Sequence, residues 1–381
     1  MKKKLLVVLC TEPEWGGEHQ YVSTVMECLI KAQDLELVAV CGGRYWKKWC
    51  DENGVRILKV SWPMFSEREQ RLHMKYSLFS RIRCMYMTEF GKALRKERAD
   101  AVFVTVQGAF IPNLCAKIIV PVHDLMHRYE GRFPEVSGSY ENRELSFASK
   151  AKYGWCVLTE SKLGKRQFAE SYQGYMRAHL PHLVSLPYIT PGHILECEEE
   201  SLDIPSKYIF YPAQFWQHKN HMHLLEAVKY LVEELPDIRL VLVGSEKNGV
   251  RKVKRYIREN GLEEHVMIKG FVSNGNIKYL YRHAVGLVMP SYFGPTNIPP
   301  LEAMALGCPV AVSDKYAMPE QVGDAGLLFD PDAPAEIAAC IRKMWCDDDL
   351  RQEMIQKGYD RINRWTRKEF GERLRRIMEK I

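Results

Sequence analysis

The feature that most limits what this chain can become is a rhythm that is played twice. Short apolar runs alternate with amphipathic helical patterns from the N-terminus to about residue 190, and the same alternation restarts near residue 208. In the first half the runs are residues 4–10, 35–40, 55–60, 101–106, 117–122 and 155–159. In the second they are 208–211, 238–243, 266–268, 285–289, 309–312 and 326–329. A run that is apolar at every position suits a strand covered on both faces, as in a parallel sheet. Helical patterns between such runs (19–31 and 162–172, then 221–234, 250–260, 276–283, 334–345 and 348–361) make βαβ units. The expectation is an α/β chain of two Rossmann-like, doubly wound domains facing a cleft. Its 381 residues suit two domains. The boundaries read as 1–190, 191–365 and a basic C-terminal helix, 366–381, packing back on the first domain; the acidic, proline-bearing stretch 191–205 reads as a linker.

Composition removes several function classes. A net charge of +6 is too mild for a nucleic-acid binder, though it suits an anionic small ligand or membrane surface. Eleven cysteines without a C-x-x-C pair argue for a reducing cytosol and against a disulfide frame or zinc site. The basic-then-apolar start, residues 1–10, is too short for a secretory leader and reads as a first strand, and no run is long enough to span a bilayer. Residues 66–98 mix basic and aromatic side chains on one or two amphipathic helices: a solvated face, or a surface for anionic lipid from which the protein dissociates as salt rises. Residues 126–139 read as a long loop at a sheet edge.

The densest chemistry lies in Phe293-Gly294-Pro295-Thr296-Asn297-Ile298-Pro299-Pro300-Leu301-Glu302-Ala303-Met304-Ala305. It follows a strand, turns through a glycine loop and opens a helix, with two prolines where the first turn needs no N–H partners. Such a helix start docks anions on backbone N–H groups. A carboxylate there, Glu302, would repel phosphate, but it fits as an acceptor for sugar or ribose hydroxyls beside the phosphates.

These residues resemble a known family. The second half is similar to the donor-binding domain of retaining GT-B glycosyltransferases of glycosyltransferase family 4. The likeness runs in order through Phe210 to Asn220, Val241 to Gly244, Lys269 to Val272, Met289 to Ser291, Pro299 to Val310 and Gly323 to Phe329. The first half matches more thinly, through Gly16-Gly17, His123-Asp124-Leu125 and Leu158 to Ser161.

The resemblance implies hexosyl transfer from a UDP-, GDP- or dTDP-linked sugar to a glycan or lipid-linked acceptor, with retention, no cofactor and no metal. It implies a cytoplasmic enzyme at the inner face of the membrane, in bacterial-type surface polysaccharide or glycolipid synthesis. Lys219, Glu302 and His123 carry the catalytic roles: a cation for the leaving diphosphate, a ribose contact, and a group reaching the sugar from the first domain. Gly16, Gly17, Gln214, His218, Val272, Gly294, Thr296, Asn297, Ile298 and Leu301 form the donor site. Asp124, Arg128 and Tyr129 are the acceptor contacts. Two positions depart from the family: Gln214 stands where an arginine is usual, and Gly294 where the first of two glutamates is usual.

Rival readings differ in their requirements. An NAD-dependent dehydrogenase needs G-x-G-x-x-G after an early strand, and Gly16-Gly17 does not provide it. A nucleotide-sugar epimerase shares the architecture. A catalytically silent nucleotide-sugar-binding subunit draws on the two departures.

Overall fold

The computed structural model describes residues 2–176, 180–294 and 297–381. They form two compact units, Met1–Pro187 with Arg367–Ile381, and Tyr188–Thr366.

Unit 1 is built on seven parallel strands, β1 (Lys3–Leu9), β2 (Leu35–Cys41), β3 (Arg56–Ile57), β4 (Ala101–Val104), β5 (Lys117–Val122), β6 (Cys156–Thr159) and β7 (His182–Ser185). Their spatial order is β3-β2-β1-β4-β5-β6-β7. Unit 2 has six, β8 (Ile209–Pro212), β9 (Leu240–Val243), β10 (Val266–Ile268), β11 (Gly286–Met289), β12 (Val310–Ser313) and β13 (Gly326–Phe329), ordered β10-β9-β8-β11-β12-β13. Every strand pair is parallel. The apolar runs explain this: Leu5 to Leu9 and Leu240 to Leu242 are essentially inaccessible, as strands sandwiched between helix layers must be. Both sheets reverse their strand order once, between β1 and β4 and between β8 and β11. In open α/β sheets the crevice at the carboxyl ends beside such a reversal is where ligands bind.

Several expected elements differ. The run 55–60 shrinks to two residues of edge strand. Residues 66–98 form three helices, Glu67–Lys75, Ser77–Met87 and Glu89–Glu97; Ser66 and Thr88 cap the first and third, and the extended Tyr76 divides the first from the second. The stretch 126–139 is not a bare loop. It holds short helices Met126–Tyr129 and Pro134–Ser137, the second with proline at its first position, and leads into helix Tyr140–Tyr153. The 191–205 stretch is no free linker. Its helix Gly192–Glu196 packs on helix Asn274–His283, and Glu199 pairs with Arg282 and His283, each at 3.0 Å. Those cations, 83 and 84 residues further along the chain, hold the acidic segment in place, which the local sequence does not reveal. Among the described residues no helix is long and apolar enough to cross a membrane.

Candidate active site

The unit 2 reversal is assembled from two loops. The first leaves β8 and ends in the one-turn helix Gln217–Lys219, after which Asn220 adopts the left-handed conformation (φ 56°) that sends the chain into helix His221–Leu231. The second leaves β11 and ends in helix Ile298–Ala305. They are tied together. The His218 carbonyl accepts from Tyr292 N–H at 2.9 Å, and the His218 ring stacks on Phe293 with centroids 4.1 Å apart. The buried Tyr211 hydroxyl donates to the Lys219 carbonyl at 2.8 Å, and Asn220 Nδ2 donates to Pro331 O at 2.8 Å.

This frame points Lys219 Nζ at Asn297 Oδ1, 3.4 Å away, the side-chain oxygen it meets among the described residues. Burial without a counter-carboxylate lowers its pKa to about 8. An ammonium held this way gains from an arriving anion, because the anion supplies the charge its surroundings withhold.

Glu302 lies on the buried face of helix Ile298–Ala305 and accepts a 2.9 Å hydrogen bond from the Tyr281 hydroxyl. Burial raises its carboxyl to about 7, and the Tyr281 bond opposes only part of that rise. A carboxylate with unmet need for donors suits a vicinal diol. Asn297 stands at the N-cap position of the helix without a side-chain capping bond, which leaves its amide to face Lys219, and its neighbours Ile298 and Leu301 are buried. Thr296, expected in the donor loop, lies outside the described residues, as does Pro295.

Gly294 is explained by its surroundings. A Cβ built there would stand 2.0 Å from Asn297 Nδ2 and 2.5 Å from Oδ1. The Asn297 amide fills the space from which a side chain at 294 would start. Gln214 turns its Oε1 to the Trp216 indole N–H at 2.9 Å. Val272 is half-buried behind Gly270, whose φ of 64° favours glycine.

In unit 1, Gly16 ends the turn after β1 with φ 65° and ψ −121°, a region open to glycine, and Gly17 begins helix Gly17–Leu29. His123 follows β5 and is buried. Its Nδ1 is bonded to the carboxylate of buried Glu160, and Nε2 lies 4.0 Å from Glu18 Oε1. Burial works to lower the imidazole pKa, but Glu160, helped by Glu18 and Asp124, brings it above the ordinary value. Asp124 is paired with Arg143 and accepts from Met126 N–H at 2.9 Å. Burial would raise its pKa, yet Arg143 holds it below the usual range. Arg128 forks onto Glu144 through Nε and Nη2, at 2.6 and 2.5 Å, and lies over the Tyr172 ring. These two acceptor candidates are therefore engaged inside unit 1. Tyr129 is more open, with its hydroxyl 3.5 Å from Ser171 Oγ.

Residues 197–361 match the family model described as glycosyl transferases group 1. This part of the chain belongs to the group 1 glycosyl transferases. Among similar curated proteins are the O-antigen chain mannosyltransferase B of Escherichia coli, 32% identical over 40% of this chain, and the D-inositol 3-phosphate glycosyltransferase of Corynebacterium jeikeium, 27% identical over 50%. The matches span 40% and 49% of those relatives' own length. Among solved structures, Anabaena HepE in complex with UDP aligns over 100% of both chains with a TM-score of 0.71 at 14% identity, a likeness of fold. The two-sheet architecture is thus the GT-B fold.

Three participants in the group 1 domain escape a sequence reading. Tyr281 is 21 positions from the Glu302 it serves. Gln321 clamps the Asn297 backbone from another helix, Met318–Val322. Phe271 leaves its ring 91% exposed at the end of β10, beside Val272. Glu160, the partner of His123 in unit 1, sits within a quoted segment, Leu158 to Ser161, but only the fold places β6 beside β5.

Proposed function

We propose that the protein transfers a hexosyl group from a nucleotide-sugar to a glycan or lipid-linked acceptor, with retention and with neither metal nor cofactor. The observation that carries this reading is Lys219: a half-buried ammonium facing Asn297 at the strand reversal of a group 1 domain. Departure of a nucleoside diphosphate builds negative charge, and a fixed cation in a shielded site stabilises that charge as it forms. Glu302 accepts the ribose hydroxyls, and backbone groups of Asn297, Ile298 and Leu301, with Gly294, surround phosphate and sugar. Gln214 and His218 border the diphosphate, and Val272 meets the base. In unit 1 we assign Gly16, Gly17 and His123 to the donor and Asp124, Arg128 and Tyr129 to the acceptor. The relatives' printed roles in O-antigen and inositol-phosphate glycosylation support surface polysaccharide or glycolipid synthesis, which we place in the cytoplasm at the inner membrane face. The UDP bound to HepE supports a nucleotide-sugar donor.

The absence of a carboxylate at position 294, whose space Asn297 fills, favours a second reading: a nucleotide-sugar binder without turnover. One experiment separates the two. The purified chain is offered UDP-, GDP- and dTDP-sugars, with binding followed by calorimetry and turnover by donor hydrolysis and transfer to lipid-linked and glycan acceptors. Binding with retained-configuration product supports transfer. Binding without chemistry supports the silent reading. If Lys219→Ala and Glu302→Ala leave affinity and turnover unchanged, this site is not the donor site.

A further inference from the structure

Helix Ser77–Met87 of unit 1 is unusual for a surface helix. Its inner face buries Ser80, Cys84 and Met85, and large apolar side chains stand on its outer face as well. Leu78, Ile82 and Tyr86, at spacing i, i+4, i+8, are 68%, 48% and 53% exposed, and Phe79 broadens the ridge. A contiguous apolar ridge on the outward side of a helix normally means that something covers it.

We infer that this ridge enters the surface of a phospholipid bilayer. Three observations choose lipid. First, the ridge is rimmed by cations and amphipathic rings: Lys75 over Tyr76, Arg81 and Arg83 on the helix itself, and Arg95 over Tyr86 at 4.3 Å. The helix bears no acidic residue. That pattern fits an apolar wedge beneath anionic headgroups. Second, a twofold pairing of this face with a second copy would set cation against cation. Third, the ridge continues inward. Phe79 touches His73 (centroids 5.3 Å), and His73 touches Phe65 (4.4 Å) and Phe110 (5.9 Å). Phe65 and Phe110 line a cavity of about 440 Å³ at the carboxyl ends of β1, β2 and β4, together with Trp62, Met64, Val104 and Val106. A row of packed rings thus joins the exposed ridge to an apolar cavity, so the ridge is seated on a fixed aromatic base and not on a loose surface turn.

The ion pairs also change the expected salt response. Arg71 is committed to Glu67 and Glu141, Lys92 to Glu89, and Arg83 to Glu69. Part of the positive charge read from residues 66–98, including Arg83 on the rim, is thus paired within the unit, and the exposed apolar ridge carries the attachment.

The test uses the full chain and vesicles of phosphatidylcholine, with and without phosphatidylglycerol, in flotation assays at about 0.1 M and about 1 M salt, where screening lengths are about 10 and 3 Å. Parent protein floats with the mixed vesicles at both salt levels. Leu78→Ser/Ile82→Ser weakens partition about tenfold or more, with unchanged circular dichroism and melting, since both side chains are exposed. Three results would overturn the inference: flotation untouched by the double substitution, flotation abolished at about 1 M salt in the parent, or no flotation together with a dimer that the double substitution converts to monomer. No flotation of a monomeric parent would overturn it as well. None of these outcomes depends on sugar transfer, so the docking surface and the proposed chemistry stand or fall separately.

Discussion

The side-chain amide of Gln321 holds both backbone groups of Asn297. Its Oε1 accepts the Asn297 N–H at 2.9 Å, and its Nε2 donates to the Asn297 carbonyl at 2.6 Å. Both residues are buried, so this clamp satisfies an N–H and a C=O that water cannot reach. It also fixes the amide that faces Lys219. Arg361 braces the clamp from behind, through Nε to the Gln321 carbonyl at 3.0 Å.

Gln321→Ala leaves that N–H and C=O unpaired and costs about 2–4 kcal/mol of stability. Donor affinity falls with it, because Asn297 no longer stays in register with Lys219. Gln321→Glu is the sharper change. A carboxylate accepts from the N–H but opposes the carbonyl, and only its protonated form donates. Its deficit against the parent shrinks as pH falls from about 8 to about 5. Thermal melting at both pH values checks this; a deficit independent of pH would exclude the clamp as its cause.

The contact between Gly294 and Asn297 predicts coupling. Gly294→Ala forces the Asn297 amide aside and destabilises the fold by about 1–3 kcal/mol, as overpacking does. Asn297→Ala opens the space, so the second substitution costs less in its presence. Denaturant unfolding of the four proteins should give a coupling of about 0.5–3 kcal/mol. Strict additivity would mean that Asn297 does not occupy the 294 position.

Some of this was legible in the sequence and some was not, for physical reasons. The runs 4–10 and 238–243 announce buried parallel strands because burial on both faces demands apolar residues throughout. Lys219 and Glu302 stand out because their neighbours define a strand end and a helix start. What stays hidden is contact between distant segments. Nothing local to Glu199 says that Arg282 and His283 will hold it, and nothing local to Asn297 points to Gln321. The Gly294 departure reads in sequence only as a missing carboxylate; the fold shows the amide that fills the space.

Glu302→Gln separates function from stability. The carboxyl rises from its ordinary 4.5 to about 7 because burial penalises the charge. The folded value lies above the unfolded one, so the folded state holds the extra proton between them. Stability is fully present below about 4.5 and declines as pH rises towards 7 and beyond. The glutamine keeps the Tyr281 hydrogen bond without a buried charge. At pH about 8 the variant should be more stable than the parent by about 1–3 kcal/mol, and equal to it at pH about 4. Its donor affinity should still drop. Melting curves at the two pH values, with calorimetric binding, read both effects; a variant destabilised at pH about 8 would contradict the burial argument.

Lys219 and Glu302 together set a pH window for donor binding. Binding needs Lys219 charged, and burial lowers its pKa to about 8. It also needs Glu302 ionised, and burial raises that carboxyl to about 7. Affinity should therefore peak between about 7 and 8, fall on the acid side as Glu302 takes up a proton, and fall on the alkaline side as Lys219 loses one. Binding shifts both groups towards their charged forms. Calorimetry in buffers of different ionisation enthalpy should show proton release near pH 7 and proton uptake above pH 8. Glu302→Gln removes the acid limb and leaves the alkaline one. Lys219→Arg removes the alkaline limb, because guanidinium does not titrate in this range. A flat affinity profile from pH 6 to 9 in the parent would show that neither group meets the donor.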